Sequence, residues 1–250
     1  MKLFLCILLF ASTVPCHARP PILGGDVVNS TDFIARSVVA LIAKSRSGES
    51  LCTASLVGPE LAITAAHCVS EKGTPLQLFL VFSTDARTAS PDRIRPVDRV
   101  EIPEEWNPSN LKGRDTSDIA LLHFSGSLPA AYEPSTLLPF NHVFRKGEII
   151  SIAGYGISSA LLESGSGILR KALISVSDPH YSATEIEFDQ TSGGGACHGD
   201  SGGPAYVVIK GQPYLFGITS RGGEACDEKV IYSTIASYQN WFREAVRLIH

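Results

Sequence analysis

The feature that most restricts the fold is a long succession of short apolar runs between residues 37 and 234. The runs are rich in Val, Ile, Leu and Phe, and Gly, Pro, Asn or Ser separate them. Barrels and sandwiches show this spacing, whereas an amphipathic helix repeats its apolar residues every third or fourth position. We therefore predict an all-β protein with strands at residues 37–43, 53–57, 61–64, 76–82, 118–124, 148–153, 170–176, 186–188, 205–209, 214–219 and 230–234.

Two segments depart from this pattern. Residues 128–141 contain Pro129, Pro134 and Pro139, which lack the N–H that a sheet ladder needs, so this segment suits a crossover between two halves. Residues 235–250 carry apolar side chains at helical spacing. We predict a terminal helix there, packed on the second half of the chain.

The N-terminus has the order of features of a secretory signal peptide. Lys2 precedes an apolar run over residues 3–10, and Cys16 and Ala18 supply small side chains for cleavage. The run is shorter than a membrane-spanning helix. The alternative is a hydrophobic helix that stays in the fold. We predict a signal peptide at residues 1–18, a secreted or periplasmic protein, and no stable membrane anchor.

Charge and cysteine content narrow the functional classes further. The net charge of −4 provides no basic footprint, so we predict no nucleic-acid partner. Without residues 1–18 the chain keeps an even set of cysteines, which in an exported protein indicates disulfides. Zinc binding is the alternative, but no pair has the close C-x-x-C spacing of common zinc sites. The cysteines concerned are Cys52, Cys68, Cys197 and Cys226.

Three short motifs carry the chemistry. Gly-Asp-Ser-Gly-Gly-Pro occupies residues 199–204, and glycines beside Ser201 allow a turn that aims backbone N–H groups at an oxyanion. A serine hydroxyl also needs a base, and Thr-Ala-Ala-His-Cys at residues 64–68 offers His67. Asp118 opens the sequence Asp-Ile-Ala-Leu-Leu. Asp115 is a rival that lacks this apolar continuation.

With His67, Asp118 and Ser201 in this order, the chain from residue 22 onward resembles the trypsin/chymotrypsin family of secreted serine proteases. An α/β-hydrolase would need G-x-S-x-G and the histidine last, so that fold is excluded. The resemblance implies two six-stranded antiparallel β-barrels with a C-terminal α-helix. The implied segments are a pro-segment at 19–21, barrels at 22–127 and 142–234, a linker at 128–141 and a helix at 235–250.

The resemblance also implies catalytic functions for single residues. His67 takes the Ser201 proton, Asp118 orients the imidazole, and the N–H groups of Gly199 and Ser201 form the oxyanion hole. Family members bridge the positions of Cys52 and Cys68, and a bridge between Cys197 and Cys226 ties the nucleophile loop to the opposite pocket wall.

Maturation follows from the same resemblance. Family zymogens are cut to release an N-terminal Ile or Val, whose ammonium pairs with the aspartate before the catalytic serine. Ile22 and Asp200 occupy these positions, so we predict an activation ion pair between them. Pro21 stands before Ile22 where trypsin-activated relatives have Arg or Lys, so either a different processing step acts here or none does.

The predicted substrate pocket lacks a counter-ion for a basic side chain. The floor position is Gly195, and branched Val230 stands where many relatives have a small wall residue, which favours a neutral small or medium apolar P1 side chain. Arg221 is either a solvated loop side chain or a substrate contact. Glu224 or Asp227 restores basic specificity if either reaches the pocket. His198 either is exposed at the rim of the pocket or favours acidic substrates. The full predicted pocket is Gly195, Ala196, His198, Ser220, Arg221, Gly222 and Val230.

The resulting hypothesis is a monomeric secreted serine endopeptidase that acts through an acyl-enzyme. Its expected partners are protein or peptide substrates and proteinaceous inhibitors, and it needs no cofactor or metal. The alternative is a catalytically silent protease homologue that serves as a binding module.

Overall fold

The computed structural model describes residues 25–70, 76–139, 142–159, 162–192 and 194–249. The predicted signal peptide, the pro-segment and Ile22 lie outside the described residues. The elements in chain order are β1 Asp26–Val27, α1 Phe33–Ser37, β2 Val38–Lys44, β3 Glu49–Leu56, β4 Leu61–Thr64, β5 Gln77–Val81, β6 Ile94–Glu101, β7 Ala120–Phe124, β8 Ile149–Gly154, β9 Arg170–Asp178, β10 Glu185–Asp189, β11 Pro204–Ile209, β12 Gln212–Gly222, β13 Lys229–Thr234 and α2 Gln239–Ile249. Short 3₁₀ turns lie at Ala66–Cys68, Ala86–Thr88, Pro91–Arg93, Pro108–Asn110 and Ile235–Tyr238.

The first barrel closes in the order β2-β3-β4-β7-β6-β5, with antiparallel neighbours throughout. In β2, Leu41 lies opposite Cys52 on one side and Leu80 on the other. Most of β2 is buried, because α1, the barrel interior and the second barrel surround it. This burial explains why its sequence is a continuous apolar run rather than an alternating one.

The second barrel closes in the order β8-β9-β10-β13-β12-β11, and β11 returns to pair with β8. The predicted all-β fold of two six-stranded barrels with a C-terminal helix is thus confirmed. Residues 26–27 fall in the segment expected for the first barrel, yet they pair with β9 of the second. The reason is that β10 pairs only with the C-terminal part of β9. The edge of β9 at Arg170 and Lys171 is therefore left for β1.

The two barrels share one hydrophobic cluster along their junction. Val38 and Leu41 of the first barrel belong to the same buried cluster as Tyr155 and Tyr206 of the second half. The Tyr206 hydroxyl is within hydrogen-bond distance of Ser37 Oγ at 3.1 Å and of Ser135 Oγ at 2.8 Å. A buried hydroxyl that finds such partners avoids a desolvation penalty, so this tyrosine joins the halves without cost to the core.

The described part of the proline-rich segment hydrogen-bonds to both barrels. Ser135 N–H donates to Leu56 O of β3 at 2.8 Å. Farther along, Leu138 N–H donates to Leu215 O of β12 at 2.9 Å. These bonds place residues 135–138 between the two barrels, as expected for a crossover.

Each predicted strand is present, most with shifted ends, whereas β1, α1 and β6 were not predicted. The sequence of β6 is Ile-Arg-Pro-Val-Asp-Arg-Val-Glu, which alternates too weakly to predict a strand. None of its residues is fully buried, and Pro96, Asp98 and Arg99 are exposed. Pairing with β5 and β7 therefore forms β6, rather than its own hydrophobicity.

The terminal helix packs on a different surface from the one predicted. Ala245 and Ile249 of α2 form a buried cluster with Leu61 and Leu121, which belong to the first barrel. The prediction that the helix packs on the second half is therefore wrong. Helical periodicity shows that one face is buried, but not which surface covers it. Among the described residues, neither helix has the length and apolar character that crossing a membrane requires.

We predict that Ile249→Ala lowers the free energy of unfolding by about 2 kcal/mol or more, since Ile249 is fully buried against the first barrel. Leu248→Ala is the matched control, because its side chain is 63% exposed and the expected change is below about 0.5 kcal/mol. Urea denaturation of both variants measures the difference. Equal losses would contradict the observed packing of α2.

Candidate active site

The three side chains that are predicted to carry out the chemistry come from three separate segments. His67 lies in the 3₁₀ turn after β4, Asp118 lies just before β7, and Ser201 lies in the loop before β11. His67 and Ser201 line the same cavity, and His67 is hydrogen-bonded to Asp118. The structure therefore brings together residues that lie far apart in the sequence.

Asp118 is fully buried, and among the described residues its carboxylate accepts hydrogen bonds from His67 and Ser220. Oδ1 accepts the backbone N–H of His67 at 3.0 Å, and Oδ2 is 2.8 Å from His67 Nδ1. Ser220 Oγ donates to Oδ2 at 2.6 Å. Because buried carboxylates are costly without donors, these bonds hold the charge in place and fix the imidazole orientation.

The rival residue Asp115 has a different set of partners. Its Oδ1 accepts from Thr184 N–H at 2.9 Å and from Thr184 Oγ1 at 2.8 Å. Asp115 and Ser117 have φ values of 50° and 54°, in the left-handed region. Such a conformation costs about 1–3 kcal/mol at each non-glycine residue, so surrounding contacts must hold it. The segment before Asp118 is therefore strained.

The backbone around Ser201 is bound to both barrels. Thr53 N–H of β3 donates to Ser201 O at 2.8 Å, and Gly202 N–H donates to Thr219 O of β12 at 2.8 Å. Gly202 has φ +79°, and a Cβ there would lie 2.0 Å from Thr64 Oγ1. Glycine is required at this position both by the turn and by the lack of space.

Both predicted disulfides are present. Cys52–Cys68 joins β3 to the turn that carries His67, and Cys197–Cys226 joins the Ser201 loop to the loop before β13. The Cα atoms are 6.2 Å and 5.3 Å apart, respectively. Each pair lies beside a histidine, but a disulfide sulfur is not the thiolate that binds zinc. The zinc interpretation of these four cysteines is therefore wrong.

The cavity beside Ser201 has a volume of about 220 Å³. Six of the predicted pocket residues line it, and several unpredicted ones contribute as well. The predicted lining residues are Ala196, His198, Ser220, Arg221, Gly222 and Val230. The unpredicted ones include Leu111, Thr219 and Gly223, which come from separate loops and a strand that no local motif marks as a site.

The remaining pocket candidates lie at different depths. Among the described residues, Gly195 is not part of the lining; it is buried against Gln190, whose Oε1 would lie 2.2 Å from an added Cβ. Glu224 lines the cavity and is exposed, and His198 is also exposed at its edge. Asp227 is exposed and is not among the lining residues that the structure describes.

Arg221 is not a solvated loop side chain. Its Nη1 and Nη2 donate to the Glu185 carboxylate at 2.7 and 2.9 Å, and Nη2 also donates to Gly113 O at 2.6 Å. Only 13% of the Arg221 side chain is exposed, and none of Glu185 is. Burial raises the pKa of Glu185, but the hydrogen bonds and charge of Arg221, with further bonds from Thr116, lower that pKa below its usual value overall. Glu185 was not predicted, since a single acidic residue at the start of a strand carries no local signal.

Asp200 is a second fully buried carboxylate next to Ser201. Its Oδ1 accepts Gly156 N–H at 2.8 Å, and its Oδ2 accepts Cys197 N–H at 2.9 Å. Burial raises the pKa of Asp200 to about 7, and these bonds with the nearby charge of Arg170 offset only part of that effect. Its predicted partner Ile22 lies outside the described residues.

Comparison with known proteins points to one family. The profile of the Trypsin family matches residues 22–242. Coagulation factor XII of Sus scrofa is 25% identical over 250 aligned positions, which cover 87% of this chain and 40% of that protein. The chain thus spans 40% of the length of this curated relative. HL collagenase superimposes with a TM-score of 0.74 over 90% of this chain and 98% of the other, at 21% identity, and this likeness shows the fold alone.

The raised pKa of Asp200 predicts a pH-dependent stability of the unprocessed chain. Between about pH 4 and pH 7 the folded state keeps a proton that the unfolded state releases, so stability decreases as pH rises through this window. The expected loss from this group is about 4 kcal/mol. Urea denaturation of unprocessed protein in a Ser201→Ala background measures it at several pH values.

Asp200→Asn is expected to remove this part of the pH dependence, because the amide does not titrate. Asp227→Asn is the matched control, since Asp227 is exposed and its removal should leave the slope unchanged. Identical slopes in the Asp200→Asn variant and its parent would contradict the burial of a titrating carboxyl at this position.

Proposed function

Because the chain belongs to the trypsin family, we propose that it is a serine endopeptidase that cleaves peptide bonds through His67, Asp118 and Ser201. The observation that carries this proposal is that His67, which is hydrogen-bonded to the buried Asp118, lines the same cavity as Ser201. Asp118 accepts from Nδ1, which leaves the lone pair of the neutral imidazole on Nε2. That nitrogen is the base that takes the Ser201 proton.

The proposed reaction proceeds through an acyl-enzyme. Ser201 Oγ attacks the substrate carbonyl carbon while His67 Nε2 removes the hydroxyl proton, and the imidazolium then protonates the leaving amine. Water, deprotonated by His67, hydrolyses the ester and releases Ser201. Asp118 stays ionised and stabilises the imidazolium in both steps.

The backbone of the Ser201 loop supports an oxyanion hole at the predicted position. Within the loop, the amides of Asp200, Gly202 and Gly203 donate to backbone oxygens. Among the described residues, no backbone hydrogen bond uses the amides of Gly199 or Ser201. These two N–H groups are the ones assigned to the substrate oxyanion, and loss of one such donor typically costs about 3–4 kcal/mol of transition-state stabilisation.

We also propose that export and cleavage before Ile22 precede activity. A buried carboxylate with a raised pKa gains from a cation, so pairing of Asp200 with a new N-terminal ammonium would stabilise its charged form. The Pro21–Ile22 bond requires a processing enzyme other than a trypsin-like one. The mature enzyme is proposed to be a secreted monomer that acts on proteins or peptides and is open to proteinaceous inhibitors.

The pocket supports a preference for neutral small or medium apolar P1 side chains. Val230 is almost fully buried and lines the cavity, and its Cγ2 is 3.7 Å from the place of a Cβ on Gly222. Arg221 is neutralised by Glu185 and so offers no free charge to a substrate. Glu224 lies at the exposed part of the lining, which makes selection of basic P1 residues the alternative outcome.

We predict that Ser201→Ala and His67→Ala each lower kcat by about 10⁴-fold or more, because the three groups act as a unit. Peptide hydrolysis by correctly processed protein, whose N-terminus is sequenced, measures the loss. A fluorophosphonate label should modify Ser201 in the parent and not in either variant. Unlabelled, fully processed parent would instead favour a silent homologue with a binding function.

We predict that Val230→Ala raises kcat/KM for P1 Phe relative to P1 Ala by about tenfold, since the smaller wall residue lengthens the pocket. Val208→Ala is the matched control, because Val208 is 54% exposed on β11 of the same barrel. A peptide library with varied P1 residues measures the ratio. A strong preference of the parent for Arg or Lys would contradict the uncharged pocket.

A further inference from the structure

A third buried carboxylate, Glu185, lies next to the proposed catalytic residues without being one of them. Its oxygens accept from Asp115 N–H at 3.1 Å, from Thr116 N–H at 3.3 Å and from Thr116 Oγ1 at 2.8 Å. Ser182 Oγ adds a contact at 3.3 Å from the turn before β10. Glu185 therefore binds the backbone of the segment that leads directly into Asp118.

Arg221 extends this cluster to Asp118 by a second route. Its two bonds to Glu185 are accompanied by contacts from Nη1 to Ser220 Oγ at 3.3 Å and to Thr116 Oγ1 at 3.4 Å. Ser220 Oγ in turn donates to Asp118 Oδ2. The guanidinium thus contacts both the carboxylate that holds the strained segment and the hydroxyl that holds the Asp118 side chain.

The backbone conformation explains why such a clamp is needed. Asp115 and Ser117 both adopt left-handed φ values, and the residue between them, Thr116, receives contacts from Glu185 at its amide and its hydroxyl. Left-handed residues other than glycine persist only where neighbours enforce them. A relaxed segment would shift Asp118, whose carboxylate must stay within hydrogen-bond distance of His67 Nδ1.

We propose that the Glu185–Arg221 ion pair is a positioning device for Asp118, which sets the orientation of His67 during turnover. This inference rests on the proposed function of His67, Asp118 and Ser201. Neither Glu185 nor Arg221 is a catalytic residue, because both act on the reaction through Asp118 and Ser220.

The proposal predicts a characteristic pH dependence, since Glu185 holds the two amides best as a carboxylate. Arg221 lowers the pKa of Glu185, so its removal is expected to raise that pKa and to release the segment as pH falls. The other titratable or charged groups around this cluster are Asp115 and Arg114 on the segment before Asp118, Tyr181 in the turn before β10, and Tyr238 in the turn before α2. Arg221 is the cation that donates directly to Glu185.

The experiment compares Arg221→Met with Glu187→Gln, the latter changing a carboxylate two residues farther along the same strand. Glu187 pairs with Lys229 and Ser177, away from Asp118. Arg221→Met is expected to lower kcat by about 10- to 100-fold and to move the acidic limb of the kcat–pH profile upward by about one pH unit. Because Arg221 also lines the cavity, KM is expected to change as well, but by a smaller factor than kcat. Glu187→Gln should change neither.

The double variant Glu185→Gln/Arg221→Met separates positioning from general damage. The double variant has no carboxyl at position 185 whose titration could release the segment, so the acidic limb should return to its parental position and kcat should exceed that of Arg221→Met. If Arg221→Met does not fold, Arg221→Lys replaces it. The acidic limb is then expected to move in the same direction but by a smaller amount. An unmoved limb in folded Arg221→Met or Arg221→Lys, or a change in KM alone, would overturn the proposal.

A second measurement does not require turnover. The proton on His67 Nδ1 reports the bond to Asp118 in the NMR spectrum, and this signal should shift or broaden in Arg221→Met but not in Glu187→Gln. An unchanged signal in Arg221→Met would overturn the inference. The parent protein could prove inactive while its His67 Nδ1 proton signal still changes in Arg221→Met. That result would count against the proposed function and would support the positioning of Asp118 by Glu185 and Arg221.

Discussion

The arrangement of the site depends on the burial of one carboxylate, that of Asp118. A buried charge is tolerated only when donors replace its lost hydration, and here the donors come from both barrels. The turn after β4 supplies two of them through His67, and β12 supplies the third through Ser220. The two halves must therefore pack in one relative position for this carboxylate to be satisfied.

In the part of the chain that the structure describes, three carboxylates are buried, and each is compensated in a different way. Asp118 receives hydrogen bonds from the proposed catalytic histidine, and Glu185 receives a bidentate arginine with backbone amides. Asp200 has two backbone amides, which do not prevent its pKa from rising to about 7. The least compensated of the three is the one that the resemblance assigns to the activation ion pair, which agrees with a group that gains a cation on maturation.

The strands that pack in the hydrophobic core were easier to predict from the sequence than the buried charges. The predicted strands match most of the observed ones because burial on one or both faces leaves a strong sequence pattern. Strand β6 left no such pattern, since its residues are only partly buried. Helix α2 was predicted from its own stripe, but the surface it covers depends on Leu61 and Leu121, far away in the sequence.

The sequence by itself determined the fold class, the family resemblance and the identity of His67, Asp118 and Ser201 as candidates, and the resemblance in turn implied the cysteine pairing. These features depend on local patterns in the sequence. The patterns are short apolar runs, glycine-rich turns and short motifs in which each residue has a chemical reason. The tertiary structure decided which surface α2 covers, that Arg221 is paired rather than solvated, and that Glu185 belongs beside Asp118. Glu185 and Arg221 are separated by many residues, and their attraction acts only after the second barrel closes and excludes water from between them.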